Sequence, residues 1–213
     1  MLIMKYTKTG TAAYLPHLDL LRDFQRIFRR AQIAVGFSEG FHPHMLLYFA
    51  PPLALGTQSI AEYCAIECGM SAGEFCERFN RSSTPDVQCV SCVEAAKNPN
   101  LAAKLCYGEY RIAFERSEGL SALVSKIASS ETLSIPYPVK GEMQQREVRG
   151  AIRSIAADGC TVTAVLSQGN VTLRADRLAD YMAGELGCEV DRIVRVRQLT
   201  QEGVDADVLL SAL

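Results

Sequence analysis

Leu15-Pro16-His17-Leu18-Asp19-Leu20-Leu21-Arg22-Asp23-Phe24-Gln25-Arg26-Ile27-Phe28-Arg29-Arg30-Ala31 reads as an amphipathic helix that runs on to about Ile33. At about 100° per residue, Leu20, Leu21, Phe24, Ile27, Phe28 and Ala31 share one face. Arg22, Arg26, Arg29 and Arg30 occupy the other. Asp19 stands at the helix start as N-cap or first-turn acid, where backbone donors and the macrodipole favour a carboxylate.

Strands flank this helix. Leu2 to Lys8 alternates weakly and ends at Gly10, and Met45 to Ala50 is a short apolar run stopped by Pro51-Pro52. Ser59 to Cys68 reads as a third strand. Ser71 to Arg81 reads as a helix, with Ser71 as N-cap and Glu74 in the capping-box position. Val87 to Ala95 is a fourth strand. The order β-α-β-β-α-β is that of the ferredoxin-like split βαβ unit.

Lys97-Asn98-Pro99-Asn100 is polar and turn-forming, and it marks a domain boundary. Beyond it the same order returns less regularly. Cys106 to Glu115 reads as a strand, Gly119 to Ser129 as a helix, and Thr132 to Val139 as extended chain interrupted by Pro136 and Pro138. Gly141 to Asp158 suits either a helix or an irregular edge. Cys160 to Leu166 and Asn170 to Arg174 read as strands around a Gln168-Gly169 turn. A helix from Ala175 to Leu186 and a strand from Val190 to Leu199 follow. The expected fold is therefore α+β: two tandem ferredoxin-like (βαββαβ) units, residues 1–96 carrying the histidines and arginines, and residues 97–213 forming a second, irregular unit.

Composition narrows the function classes. Of the 213 residues 48% are hydrophobic, enough for real cores, and the net charge of −2 means that nucleic-acid binding needs a local basic patch. No run approaches the roughly 18 apolar residues of a membrane span, and the N-terminus lacks the features of a secretory signal. The expectation is a soluble, cytoplasmic protein that makes no membrane contact. Its eight cysteines then read as free, buried thiols. Cys89-Val90-Ser91-Cys92 has the CxxC spacing of a metal ligand pair, but it lies in a strand-like run, and the nearest second pair, Cys64 and Cys68, reads as strand-borne too, so neither a metal nor another cofactor is expected.

All three histidines lie in two polar islands that bracket the arginine helix. His17 and Asp19 belong to the first; Ser38-Glu39-Gly40-Phe41-His42-Pro43-His44 is the second. Gly40 permits backbone geometry closed to other residues, and Pro43 stiffens the exit. Two imidazoles with Glu39 or Asp19 would compose a 2-His-1-carboxylate set, or an acid–base pair for RNA cleavage; the spacing does not choose. Four guanidiniums on one helix face suit bidentate phosphate contacts, and Phe41 suits stacking on a base or anchoring its loop. The candidate binding residues are His17, Asp19, Arg22, Arg26, Arg29, Arg30, Ser38, Glu39, Gly40, Phe41, His42 and His44. No P-loop, GxSxG or HExxH motif is present.

Taken in order, Lys5 with Gly10, Leu15 to Leu20, Arg22, Phe24 to Ala31, Ser38 to His44, Phe49-Ala50, Pro52 to Gly56 and Glu62-Tyr63 resemble the bacterial radical-SAM-linked (radical-SAM-associated) family of unknown function. The resemblance covers roughly the first third of the chain. It departs at His42, where asparagine is usual, and at Met45-Leu46, where a proline and a basic residue are usual. It implies a cytoplasmic accessory role beside a radical SAM protein, in RNA modification or ribosome biogenesis, with tRNA or rRNA as the nucleic acid. The chain has no CxxxCxxC, so radical chemistry would belong to that partner. At the level of fold alone, the glycine loop, arginine helix and paired units also resemble CRISPR repeat-RNA endonucleases and their RAMP relatives. The sequence thus points to an RNA-binding accessory protein with no activity required of its own. An RNA-processing nuclease using His17, His42 and His44, and a docking module that touches no RNA, are the alternatives.

Overall fold

A computed structural model describes residues 1–139, 141–169 and 172–212. The first strand, β1 (Leu2–Lys8), leads through a 3-10 turn at Gly10–Tyr14 into α1 (His17–Arg30). Next come β2 (Leu47–Phe49), β3 (Gln58–Ile66), α2 (Ala72–Ser82) and β4 (Cys89–Glu94). A short helix, α3 (Leu101–Lys104), opens the second half, followed by β5 (Leu105–Phe114) and α4 (Leu120–Ser129). Then β6 (Ser134–Val139) and β7 (Glu142–Glu147) form a hairpin, and β8 (Ile152–Asp158) and β9 (Thr161–Ser167) follow. The chain closes with α5 (Ala175–Leu186), β10 (Val190–Thr200) and α6 (Ala206–Ser211).

The architecture is mixed α+β. One large sheet runs β4-β1-β3-β10-β5-β9-β8, and β2 pairs with the far end of β3. β3 pairs with β2 over Cys64 to Ile66 and with β10, in parallel, at Gln58 and Ser59. The two halves are thereby joined edge to edge, in a sheet that is otherwise antiparallel.

Burial explains the strand patterns. Leu2, Met4 and Tyr6 of β1 face a core with Phe24, Ile27 and Phe28 of α1 and Phe75 and Phe79 of α2. Ile3 on the opposite face packs with Ala61, Tyr63, Leu101, Ala206 and Leu210, because α3 and α6 cover that side. Covered on both faces, β1 is buried or half-buried along its length and apolar from Leu2 to Met4, and its alternation is therefore weak. Ser71 does cap α2: its hydroxyl accepts the Glu74 N–H at 3.4 Å. In the second half, Ile112, Phe114 and Val162 pack against Leu120, Val124 and Ile127 of α4 and Leu178 and Met182 of α5.

Gly141 to Asp158 is resolved in favour of extended chain. Pro136 and Pro138 are tolerated because β6 pairs only with β7, in a separate two-stranded sheet whose outer edges need no donors. The partner of β9 is β8, reached through the Asp158-Gly159-Cys160 turn. The expected strand at Asn170 to Arg174 is corrected accordingly. Asn170 and Val171 lie outside the described residues, and Thr172 to Arg174 form no strand, since β9 is already paired on both sides.

Candidate functional site

The path from β1 into α1 is pinned at two points. Gly10, at φ +47°, passes so close to Asp86 that a Cβ would lie 2.5 Å from its carboxylate. That carboxylate accepts from the Thr11 N–H (2.9 Å) and hydroxyl (2.7 Å), which hold its pKa below the usual value. Lys8, almost fully buried, donates from Nζ to the Leu15 carbonyl at 2.9 Å. Burial lowers its pKa, and Glu62 acts in the opposite sense. These contacts fix where His17 begins α1.

From that start, the arginine face follows from the buried one. Leu20, Phe24, Ile27 and Phe28 are locked in the core, so Arg22, Arg26 and Arg29 are exposed. Arg22 pairs with Asp19 at 2.8 Å, which makes Asp19 a first-turn acid; Pro16 holds the N-cap position. Among the described residues, Arg26 and Arg29 form no ion pair. Arg30 differs: its Nη2 donates to the Ser82 carbonyl at 2.8 Å, capping the last turn of α2. A cleft of about 510 Å³ lies along this face, with Asp19, Arg22, Asp23 and Arg26 on its wall.

The second island is a small hairpin. Phe37 bridges to Met45, the Ser38 N–H donates to the His44 carbonyl (2.9 Å), and Ser38 Oγ lies 2.8 Å from His44 Nδ1. Gly40, at φ +113°, turns the tip in open space. Glu39, Phe41, His42 and His44 are exposed, and Phe41 has no core contact. Its anchoring role is replaced by full exposure.

The islands do not merge. His17 sits edge-on to Phe49, ring centroids 5.0 Å apart, and lines a different pocket of about 520 Å³ between the two halves. His42 and His44 line neither cleft. Among the described residues no group of three or more His, Cys, Asp and Glu side chains is placed to hold a metal ion.

The pocket beside His17 holds residues that the sequence did not single out. Thr57 and Gln168 line it, both more than nine-tenths buried. Gln168 Oε1 accepts from Arg195 Nη1 at 2.9 Å. Arginine can only donate, so this bond fixes the amide orientation and leaves Nε2 against the Gly108 backbone. Gln168 Nε2 and Thr57 Oγ1 are buried with no hydrogen-bond partner. Each such atom costs about 1–3 kcal/mol. Beneath them Arg195, fully buried, donates to Glu62 through Nε (2.9 Å) and Nη2, and to the Pro51 carbonyl at 3.0 Å. Burial raises the pKa of Tyr110 in the pocket wall, and nearby Arg195 offsets part of that rise. One signal was available in sequence: Glu62 interrupts the apolar run from Ile60 to Ile66, whereas Arg195 lies among other polar residues of β10 and does not stand out.

The chain matches, over residues 1–175, the family described as "Uncharacterized protein conserved in bacteria (DUF2344)". It belongs to that family. That description names neither an activity nor a radical SAM partner. No curated protein matches. Solved structures that match include two in particular. "Crystal Structure of a Cbf5-Nop10-Gar1 Complex" matches at 12% identity and a TM-score of 0.48, over 92% of this chain and 48% of that one. "Crystal structure of pseudouridylate synthase" matches at 15% and 0.33, over 76% of this chain and 52% of that one. The chain thus spans about half the length of the solved chains it matches.

Proposed function

We propose that this protein is a cytoplasmic RNA-binding accessory that works with a radical SAM enzyme in RNA modification or ribosome biogenesis. The observation that carries the RNA reading is the exposed row of Arg22, Arg26 and Arg29 on a helix whose opposite face is locked in the core. Fixed guanidiniums engage backbone phosphates bidentately, and a local row of them suffices where net charge is slightly negative. Phe41 at the hairpin tip supplies an exposed ring for a base to stack on. Ser38, Glu39, Gly40, His42 and His44 shape that tip, with Asp19 steering Arg22. Arg30 serves the helix junction. The radical SAM partner rests on the sequence resemblance, and tRNA or rRNA is the expected nucleic acid.

We read the architecture as two ferredoxin-like units, residues 1–96 and 97–213. In support, the first half runs β4-β1-β3-β2 and the second β10-β5-β9-β8, the same permutation, the β6–β7 hairpin being inserted in the second. RNA cleavage by His17, His42 and His44 together has less support, since His17 faces a separate pocket.

Filter binding of tRNA and rRNA fragments at low salt tests the reading. The expected result is binding that weakens when Arg22→Ala and Arg26→Ala are combined; no binding, or no change, overturns it.

A further inference from the structure

We infer that the pocket between the two halves is a nucleotide site, taking the base and phosphate of one nucleoside monophosphate unit. At about 520 Å³ it falls within the usual range for small-ligand pockets, roughly 300–1,000 Å³. Its apolar walls come from Phe49, Leu47, Pro52 and Leu173, surfaces suited to the faces of a planar heterocycle. The two polar atoms without partners, Thr57 Oγ1 and Gln168 Nε2, belong to residues lining this same pocket. A hydroxyl and an amide N–H suit the carbonyl and ring-nitrogen edge of a nucleobase, and a ligand that bonds either of them offsets the cost of leaving it without a partner.

The phosphate end is set by α5, a twelve-residue helix whose start lines the pocket through Arg174 and Ala175. Arg174 occupies the N-cap position, and no side chain caps the first turn. Free first-turn N–H groups attract anions. Asp176 in that turn is held by Arg174 and lies 3.8 Å from Arg177, which also reaches Asp180. An incoming phosphate therefore meets backbone donors and a guanidinium whose Nε–Nη2 edge it shares with Asp176. His17 borders the same pocket, and Arg195 holds its floor rigid through Gln168 and Pro51.

The nucleotide can arrive free or as an extruded unit of an RNA strand; only the second source rests on the RNA reading. Calorimetry with AMP, GMP, CMP and UMP, and with the matching nucleosides, tests the free form; single-stranded oligonucleotides test the other. Thr57→Val removes the unpartnered hydroxyl without changing shape, and Ala54→Trp adds bulk to the pocket lining. Saturable binding of a monophosphate in preference to its nucleoside, weakened roughly three- to tenfold by Thr57→Val and abolished by Ala54→Trp, is the expected result. Oligonucleotide binding that is lost in these variants, with no free-nucleotide binding, supports the extruded form. Loss of RNA binding in Arg22→Ala/Arg26→Ala with mononucleotide binding intact separates the two sites. No binding by either form, equal affinity for nucleoside and nucleotide, or indifference to a folded Thr57→Val overturns the proposal. Thermal melting of Thr57→Val serves as the folding control.

Discussion

Replacing Arg195 by methionine is expected to be among the most damaging single changes in this protein. The guanidinium is fully buried and bonds Glu62 on β3, Gln168 after β9 and the carbonyl of Pro51 after β2, so it ties the first half to the second. Arg195→Met leaves the Glu62 carboxylate, its side chain 6% exposed, without its counter-charge. Breaking a buried pair in this way costs about 3–5 kcal/mol. At roughly 2–4 °C per kcal/mol for a chain of this size, the melting temperature should fall by about 6–20 °C. Much of that cost is the stranded charge rather than the worth of the bridge. Arg195→Met combined with Glu62→Leu should therefore be more stable than Arg195→Met alone, losing only about 1–2 kcal/mol for the acceptors left on Gln168 and Pro51. Guanidinium unfolding of wild type, both single variants and the double variant gives the coupling directly. A single-variant cost below about 1 kcal/mol, or additive effects in the double variant, would refute this account of the interior.

Stability should fall above roughly pH 9, where unfolded thiols begin to ionise. Burial raises the pKa values of Tyr6, Tyr63, Cys64 and Cys89, and of Cys92 to about 12, so the folded state keeps protons the unfolded state releases. Fewer protons on the unfolded chain make the slope negative, and the stabilisation is lost as pH climbs toward the folded values. A denaturation midpoint under reductant that is unchanged or higher at pH 10.5 than at pH 7.5 would contradict this. By the same cause, iodoacetamide should modify exposed Cys160 well before Cys64, Cys89 or Cys92, with peptide mass spectrometry as the readout. Ser71→Ala should cost about 0.5–1 kcal/mol, the lower part of the N-cap range because its bond to the Glu74 N–H is long; a loss above about 2 kcal/mol would mean the hydroxyl does more than cap α2.

What the sequence disclosed was local. The face of α1 with Phe24 and Phe28 and the Ser71 cap depend on neighbours within a few residues, and each stands where its pattern put it. In β4 the expected alternation breaks, because a bulge opposite Lys5 and Tyr6 brings Cys89 and Cys92 to the same core. What it concealed was long-range. The parallel join at Ser59 and Arg195 links residues 136 apart, and no pattern along either strand announces it. Asp158-Gly159 turns β8 into β9, yet Gly141 to Asp158 suits a helix as well as extended chain by composition, so β8 is not legible along the sequence. The same division applies to the site. Arg22, Arg26 and Arg29 were legible from spacing, whereas Thr57, Gln168 and Tyr110 meet His17 only through the sheet. Arg30 is exposed like the others, but its bond to the Ser82 carbonyl was not legible because that acceptor lies on the other helix.

The most direct test of the RNA reading is the dependence of RNA affinity on salt. Each phosphate contact adds roughly 0.7–0.9 to the slope of log K against log salt, so Arg22→Ala, Arg26→Ala and Arg29→Ala together should flatten it by about 2–3. A wild-type slope near zero, or a slope the triple variant leaves unchanged, would contradict the assignment of this helix face to the RNA backbone.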